Sequence, residues 1–277
     1  MTKYVVAVSG GVDSVALLDM LSHVPGHDII VAHFDHGIRV DSADDATFVA
    51  HLAATYGYPF ETKREELGEH ASEDLARQRR YDFLRSVAAK HDAKIVTAHH
   101  ADDAVETIAI NLHRGTGWRG LAVLDSNIVR PLIAKKKSDL RHYAKTKNLQ
   151  WHEDSTNSSD TYLRNRLRPH VEGLNGNVKR QLLERRQKQI EHKGYIDAEV
   201  RRLIGPGPHY SRYFFTHIPT VVAVECLRAA TEAKMTRPQL ERALIAIKTA
   251  APKSTYHAGG RVNFDFTTRN FSLSLLK

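Results

Sequence analysis

Cysteine is almost missing from this sequence: Cys226 stands alone among 277 residues. One thiol excludes an intramolecular disulfide framework, a thiolate zinc cluster and an iron–sulfur cluster held by the chain's own cysteines. Long apolar runs are missing too. The opening MTKYVVAVSGG holds only a short apolar run, and no stretch reaches the ~18 uninterrupted apolar residues of a membrane span. Neither a signal peptide nor a membrane partner is therefore expected, and the cytoplasm is the expected compartment. A phosphate-binding lysine is also lacking where a glycine-rich turn would need one. Gly10-Gly11 is followed by Val12-Asp13-Ser14, which fits neither G-x-x-x-x-G-K-[ST] nor a dinucleotide G-x-G-x-x-G loop.

Acidic excess is confined to the beginning. Residues 1–100 carry 10 Lys and Arg against 15 Asp and Glu, whereas residues 101–277 carry 30 against 17. A basic later part suits a polyanion larger than a nucleotide, such as a nucleic acid.

What is present reads as α/β, with apolar β-branched runs alternating with helical spacing. Strands are predicted at about 4–8, 28–34, 94–98 and 127–131, with YPFET at 58–62 as a further strand candidate. Helices are predicted at about 14–23, 42–57, 72–91, 102–113 and 135–147. Such a sheet gathers ligands at the carboxyl ends of its strands, and SGGVDS, HFDHGIR and AHHADD fall there. Two helical stretches then divide at Asn175-Gly176-Asn177, the second being heavily charged over 177–203. Gly205-Pro206-Gly207-Pro208 is the best linker signal. Beyond it, helices at about 220–233 and 236–250 precede short strands near 254–257, 261–266 and 270–275, with Gly259-Gly260 turning the first hairpin. The division expected is therefore 1–205 for a catalytic domain with a helical extension and 206–277 for a small α+β module, whose excess of basic residues suits contact with an RNA backbone.

The turn at Ser9, Gly10, Gly11 and Ser14 joins a strand to a helix, so backbone N–H groups and a positive helix end converge on an anion. Asp13 is a candidate for a Mg²⁺ neighbourhood; its alternative is a carboxylate satisfying amides of the first helical turn. In ADDAVET, Asp102 and Glu106 lie four apart, off the apolar face of Val105, Ile108, Ala109 and Leu112, with Asp103 beside them. They suit either the helix dipole or a ligand carrying ammonium groups. Arg77 and Arg80 extend the inward face of the helix marked by Leu84 and Val87, where a guanidinium needs an anion. Asp74 and Asp82 do not face the same way, which favours a phosphate. His33, His36, His99 and His100 match no structural zinc spacing, and the hard carboxylates nearby favour magnesium. Arg164, Arg166 and Arg168, followed by Lys179, Arg180, Arg185, Arg186 and Lys188, form a basic tract suited to positioning RNA phosphates. Asp154, Ser155 and Asn157 lie in the polar loop just before the first three arginines.

SGGVDS resembles the pyrophosphate-binding loop of the ATP-pyrophosphatase, or PP-loop, superfamily. Together with HFDHGIR, ARQRRY, TAHHADDAVET, NLHRGTGWRGL and EDSTNSSDTYLRNRLR, in order over residues 5–168, it is similar to the tRNA(Ile)-lysidine synthetases. The resemblance implies a PP-loop fold and a two-step reaction. ATP adenylates the wobble cytidine of a CAU-anticodon tRNA(Ile) with release of pyrophosphate, and free L-lysine then displaces AMP. It implies nucleotide contacts at His33, His36 and Arg39, a catalytic carboxylate at Asp35, and lysine contacts at Asp103 and Glu106. It also implies that Arg114 meets the ATP phosphates and the adenylated intermediate, with Gly115 and Gly117 shaping its loop. Asp35 comes first and Glu106 second as the base for the lysine amine. A tRNA sulfur transferase of the same superfamily is the alternative, weakened by the lone Cys226. A homodimer is left open.

Overall fold

The computed structural model describes residues 2–37, 42–68, 71–153, 163–259 and 262–275, and it divides into two compact units, 1–190 and 191–277.

The first unit is built on β1 (Thr2–Ala7), β2 (His27–Asp35), β3 (Phe60–Arg64) and β4 (Lys94–Val96), paired in parallel in the order β3-β2-β1-β4. Alternation along β1 divides the core. Val6, with Val8 just beyond, meets Leu17 and Leu18 of α1 (Val12–Ser22), Val49 of α2 (Ser42–Thr55) and Leu140 of α5 (Lys137–Thr146) on one face. Val5 meets Leu84 and Val87 of α3 (Glu73–His91) on the other. Covering both faces is what parallel strands require, and it explains why β2 is buried along most of its length. Ser72 caps α3 by accepting from the Leu75 amide at 3.2 Å, and Asp92 ends it in the left-handed region at φ 48°. The carboxylate of Asp19 ties three helices together, accepting from Tyr56 at 2.5 Å and Tyr143 at 2.6 Å.

The stretch expected as a strand at 127–131 is reduced to a single bridge. Val129 exchanges hydrogen bonds with Thr97 and Ile95 at 3.1 and 2.9 Å, and pairing goes no further. Pro131 has no N–H to give, and Arg130 Nη1 donates to the carbonyls of Leu124 and Ile128, which replaces ladder bonding.

Next come α4 (Ala101–His113), a 3-10 turn at Trp118–Leu121, α6 (Leu163–Glu172) and α7 (Gly176–Ile204). The unit boundary falls inside α7 rather than at Gly205, because Val200, Ile196 and Ile204 join the apolar core of the later unit. That unit has an antiparallel sheet, β5 (His209–Ser211), β6 (Thr255–His257), β7 (Val262–Phe266) and β8 (Asn270–Leu275), in the order β5-β8-β7-β6. Helices α8 (Arg212–His217), α9 (Thr220–Ala230) and α10 (Arg237–Thr249) complete it around Phe215, Leu227, Leu240 and Phe264. β5 and α8, of three and six residues, are too short for their sequence to show a period. Gly260, of the expected hairpin turn, lies outside the described residues. Among the described residues, no helix is long and apolar enough to cross a membrane.

Candidate active site

The carboxyl edge of the first sheet opens into a cavity of about 550 Å³, and the three polar clusters that follow β1, β2 and β4 all reach it. After β1, Gly10 turns the chain at φ +91°, a conformation that strains any residue with a Cβ. Gly11 is the N-cap of α1 but offers no side chain to its amides, so the first turn of the helix keeps N–H groups available to a ligand. Ser14 Oγ donates to the Gly11 carbonyl at 2.9 Å and accepts from the Ser9 amide at 3.2 Å, which fixes the turn's shape. Asp13 Oδ1 is buried with no hydrogen-bond partner, while Oδ2 lies 3.5 Å from His100 Nε2.

From β2 come His33, Asp35 and His36. His33 is buried, with Nδ1 2.8 Å from the Val8 carbonyl. Asp35 accepts from the Gly37 amide at 2.9 Å and from Arg64 Nη1 at 3.0 Å, so its charge is already matched. Across the cavity α3 presents Arg77 and Arg80, and among the described residues neither guanidinium has a carboxylate partner. Asp82 pairs instead with Arg85 at 3.0 Å, as the outward direction of these acids requires. The two arginines lie over the Tyr81 ring, 5.0 and 5.5 Å from its centroid. Their uncompensated charge is felt by nearby imidazoles. Burial first, then Arg80, lowers His36 to about 4, and burial with Arg80 and Arg77 lowers His99 to about 3. Two neutral histidines beside two guanidiniums that lack a carboxylate partner among the described residues make this wall chemically suited to an anion.

From β4, the N-terminus of α4 supplies the acids. His100 caps it: Nδ1 accepts from the Asp103 amide at 3.4 Å, and Asp103 Oδ2 accepts from the His100 amide at 2.9 Å. Burial opposes a proton on His100, yet its hydrogen bond to Asp13 and the charges of Asp103, Asp13 and Asp102 outweigh burial and raise its pKa. Asp102 turns away from ligand duty, accepting from the Lys137 amide at 2.9 Å and from Lys179 Nζ at 3.2 Å. Glu106 is only 7% exposed, and burial raises its pKa, with Asp103 adding to the rise and Arg168 and Arg164 opposing it.

Glu106 also reveals where α6 points. Arg168 Nε donates to Glu106 Oε1 at 3.1 Å, and Arg164 Nε lies 3.7 Å from Oε2 and reaches Glu73 as well, at 3.2 Å through Nη1. Residues four apart share a helix face and the one between them does not, so Arg166 is exposed on the other side. Two of three arginines expected at RNA thus face the acids expected at lysine. Of the later basic tract, Lys179 and Arg186 also turn inward, Arg186 Nε donating to the Val123 carbonyl at 2.9 Å.

Arg114 does not reach the cavity. α4 runs away from the sheet edge, and Arg114 caps its far end, exposed, about 16 Å of helical rise beyond Asp103. Gly115 turns the following loop at φ +66°, in a surface position with Gly117. Arg39, Asp154, Ser155 and Asn157 lie outside the described residues.

A family model described as the PP-loop domain matches residues 1–173. The chain belongs to this family. The PP-loop chain is 36% identical over 236 residues to the tRNA(Ile)-lysidine synthase of Thermus thermophilus, covering 81% of this chain and 46% of the relative. It is 35% identical over 217 residues to that of Geobacter sulfurreducens, covering 73% and 46%. It thus spans about half the length of the curated relatives it matches. In fold it is similar to the U34-tRNA thiolase NcsA from Methanococcus maripaludis, with a TM-score of 0.58 at 18% identity over 69% of this chain and 73% of that one.

Three residues of this PP-loop site escape sequence reasoning. Arg64, at the end of β3, neutralises Asp35, and only the register of β3 beside β2 brings the two together. His152 donates its amide to the Gly10 carbonyl at 3.0 Å, and its Nδ1 lies 2.7 Å from Asp45 Oδ1. No spacing rule connects positions so far apart in sequence.

Proposed function

We propose that the protein ligates L-lysine to the wobble cytidine of a CAU-anticodon tRNA(Ile), with ATP as co-substrate, forming lysidine through an adenylated-tRNA intermediate. The observation that carries this reading is the division of one cavity into an anion wall and an acidic wall. The first, with the turn at Ser9, Gly10, Gly11 and Ser14 and with Arg77 and Arg80, suits the pyrophosphate end of ATP. The second, with Asp103 and Glu106, suits ammonium groups. Membership in the PP-loop family supports ATP use, and the names of the synthase relatives support tRNA(Ile) and lysidine.

The cytidine carbonyl oxygen attacks the α-phosphorus and pyrophosphate leaves; the lysine ε-amine then displaces AMP. Helix α1 amides and the guanidiniums of Arg77 and Arg80 hold the departing pyrophosphate and oppose its growing charge. Asp13 Oδ1, an orphaned buried oxygen beside the turn, fits a Mg²⁺ as a hard ligand. When bound, the ion would neutralise leaving-group charge. For the proton of the attacking amine, Glu106 is the better base of the two carboxylates named above. Burial raises its pKa against the opposing charges of Arg168 and Arg164, and its Oε2 has no hydrogen-bond partner among the described residues, whereas Asp35 is held by Arg64 and the Gly37 amide. His33 and His36 line the nucleotide side. Arg114 and Arg166, exposed and outside the cavity, serve the RNA rather than ATP.

Sulfur transfer is disfavoured by the one thiol. Cys226 is fully buried in the second unit, and burial pushes it up to about 11, the opposite of a reactive thiolate. The test is the mass of the wobble nucleoside after incubation with tRNA, ATP and lysine. Lysidine formed only with all three is expected; an unchanged cytidine with all three present, or a thiolated nucleoside, would overturn the reading.

A further inference from the structure

The second unit contains an open groove of about 710 Å³ that no part of the chemistry above uses. Tyr213, Thr216, Lys248, Pro252, Arg269 and Asn270 are among its lining, and no carboxylate is. Among the described residues, neither Lys248 nor Arg269 has an acidic partner, whereas Arg237 and Lys234 of the same unit do.

Tyr213 is 71% exposed and stacks on His217, with ring centroids 3.9 Å apart and planes 23° from parallel. His217 is fixed beneath it, Nδ1 donating to the Tyr213 carbonyl at 2.8 Å. The aromatic pair is thus preorganised without being buried. Beside it, Arg212 donates from all three guanidinium nitrogens to the carbonyls of Ile247, Thr267 and Ala250 at 2.8, 3.0 and 2.8 Å. That uses Arg212 as a wall brace joining the end of α10 to the turn before β8. Its own amide donates to the Arg269 carbonyl at 2.9 Å, which sets the Arg269 backbone at the groove edge.

We infer that this groove docks RNA, receiving an unstacked base on the Tyr213–His217 pair and adjacent phosphates on Lys248 and Arg269. An exposed aromatic platform flanked by bare cations and free of carboxylates is the chemistry that holds single-stranded nucleic acid, since every base has a face to stack and every linkage a charge. An acidic peptide would use the cations but not the open ring. The inference rests on the reading that the substrate is a tRNA, and it assigns this unit its contact surface.

The test uses the full chain and an unmodified CAU-anticodon tRNA(Ile) transcript, with binding measured across a salt series. Tyr213→Ala is expected to weaken binding about tenfold at fixed salt and leave the salt slope unchanged, while Tyr213→Phe keeps affinity. Lys248→Ala with Arg269→Ala is expected to flatten the log–log salt slope by about 1.5. ATP binding, measured on the same samples, is expected to stay at the wild-type value, as these exposed side chains lie in the other unit. Wild-type affinity and slope in both the Tyr213→Ala and the double variant would overturn the groove while leaving the ligase reading intact. Failure of the unaltered chain to bind the transcript would overturn both.

Discussion

Glu106 gives one oxygen to Arg168, while its other, Oε2, has no hydrogen-bond partner among the described residues. On the proposed reading that free oxygen is the one an ammonium group of lysine would take. Glu106→Gln keeps the shape but removes the charge, and a charged hydrogen bond contributes about 1.5–3 kcal/mol, which is roughly 10- to 150-fold in binding. We expect the lysine KM to rise by at least tenfold in Glu106→Gln and in Asp103→Asn, with the ATP KM nearly unchanged; steady-state kinetics with each substrate varied in turn would check it. The opposite wall makes a prediction about pH. His36 and His99, lowered to about 4 and about 3, are neutral in the fold but titrate near 6.5 when unfolded. Between those values the unfolded chain binds more protons, so stability is full above about 6.5 and declines as the pH falls. Pyrophosphate placed on Arg77 and Arg80 would favour the protonated imidazoles. Histidine resonances followed by NMR should therefore titrate at higher pH when pyrophosphate is added, and no movement would place the anion elsewhere.

At the scale of elements, the cavity depends on helices held by buried polar groups as well as by apolar packing. Asp19, on α1, accepts from Tyr56 after α2 and from Tyr143 on α5, and burial followed by these hydrogen bonds pushes Tyr143 up to about 12. Removing the acceptor strands two hydroxyls. We expect Asp19→Ala to destabilise the first unit by about 2–4 kcal/mol, and Tyr143→Phe by about 1 kcal/mol, read from denaturant midpoints. Asp19 also shows what the sequence conceals. Its spacing on α1 places it among buried neighbours, yet nothing local announces two tyrosines 37 and 124 positions away. Elements with a sustained period are legible: α3, α4, α9 and α10 begin and end close to where apolar spacing and caps place them. The strand at 127–131 fails because Arg130 and Pro131 divert its hydrogen bonds, which β-branched composition does not reveal. In the site, residues within one motif are legible, as at Ser9 to Ser14, whereas pairings across motifs are not. Arg164 and Arg168 read as RNA contacts from their charge, and only the packing of α6 against α4 turns them toward Glu106.

For the whole molecule, the position of the unit boundary has a practical outcome. Ile196, Val200 and Ile204 belong to the later core, so a chain ending after Gly205 would expose all three, whereas one ending after Ile190 would not. We expect the shorter truncation to stay monomeric and retain ATP binding, and the longer one to self-associate, as light scattering at matched concentrations would show. The bond between the His152 amide and the Gly10 carbonyl acts at the same scale. The partner that fastens the turn between β1 and α1 is made more than a hundred residues after it, and non-local closures of that span form late. The anion turn is therefore an early structure with a late lock. Nascent chains released before residue 152 would carry it loose, and pulsed hydrogen exchange during refolding should find the His152 amide protected after the amides of β1 and β2.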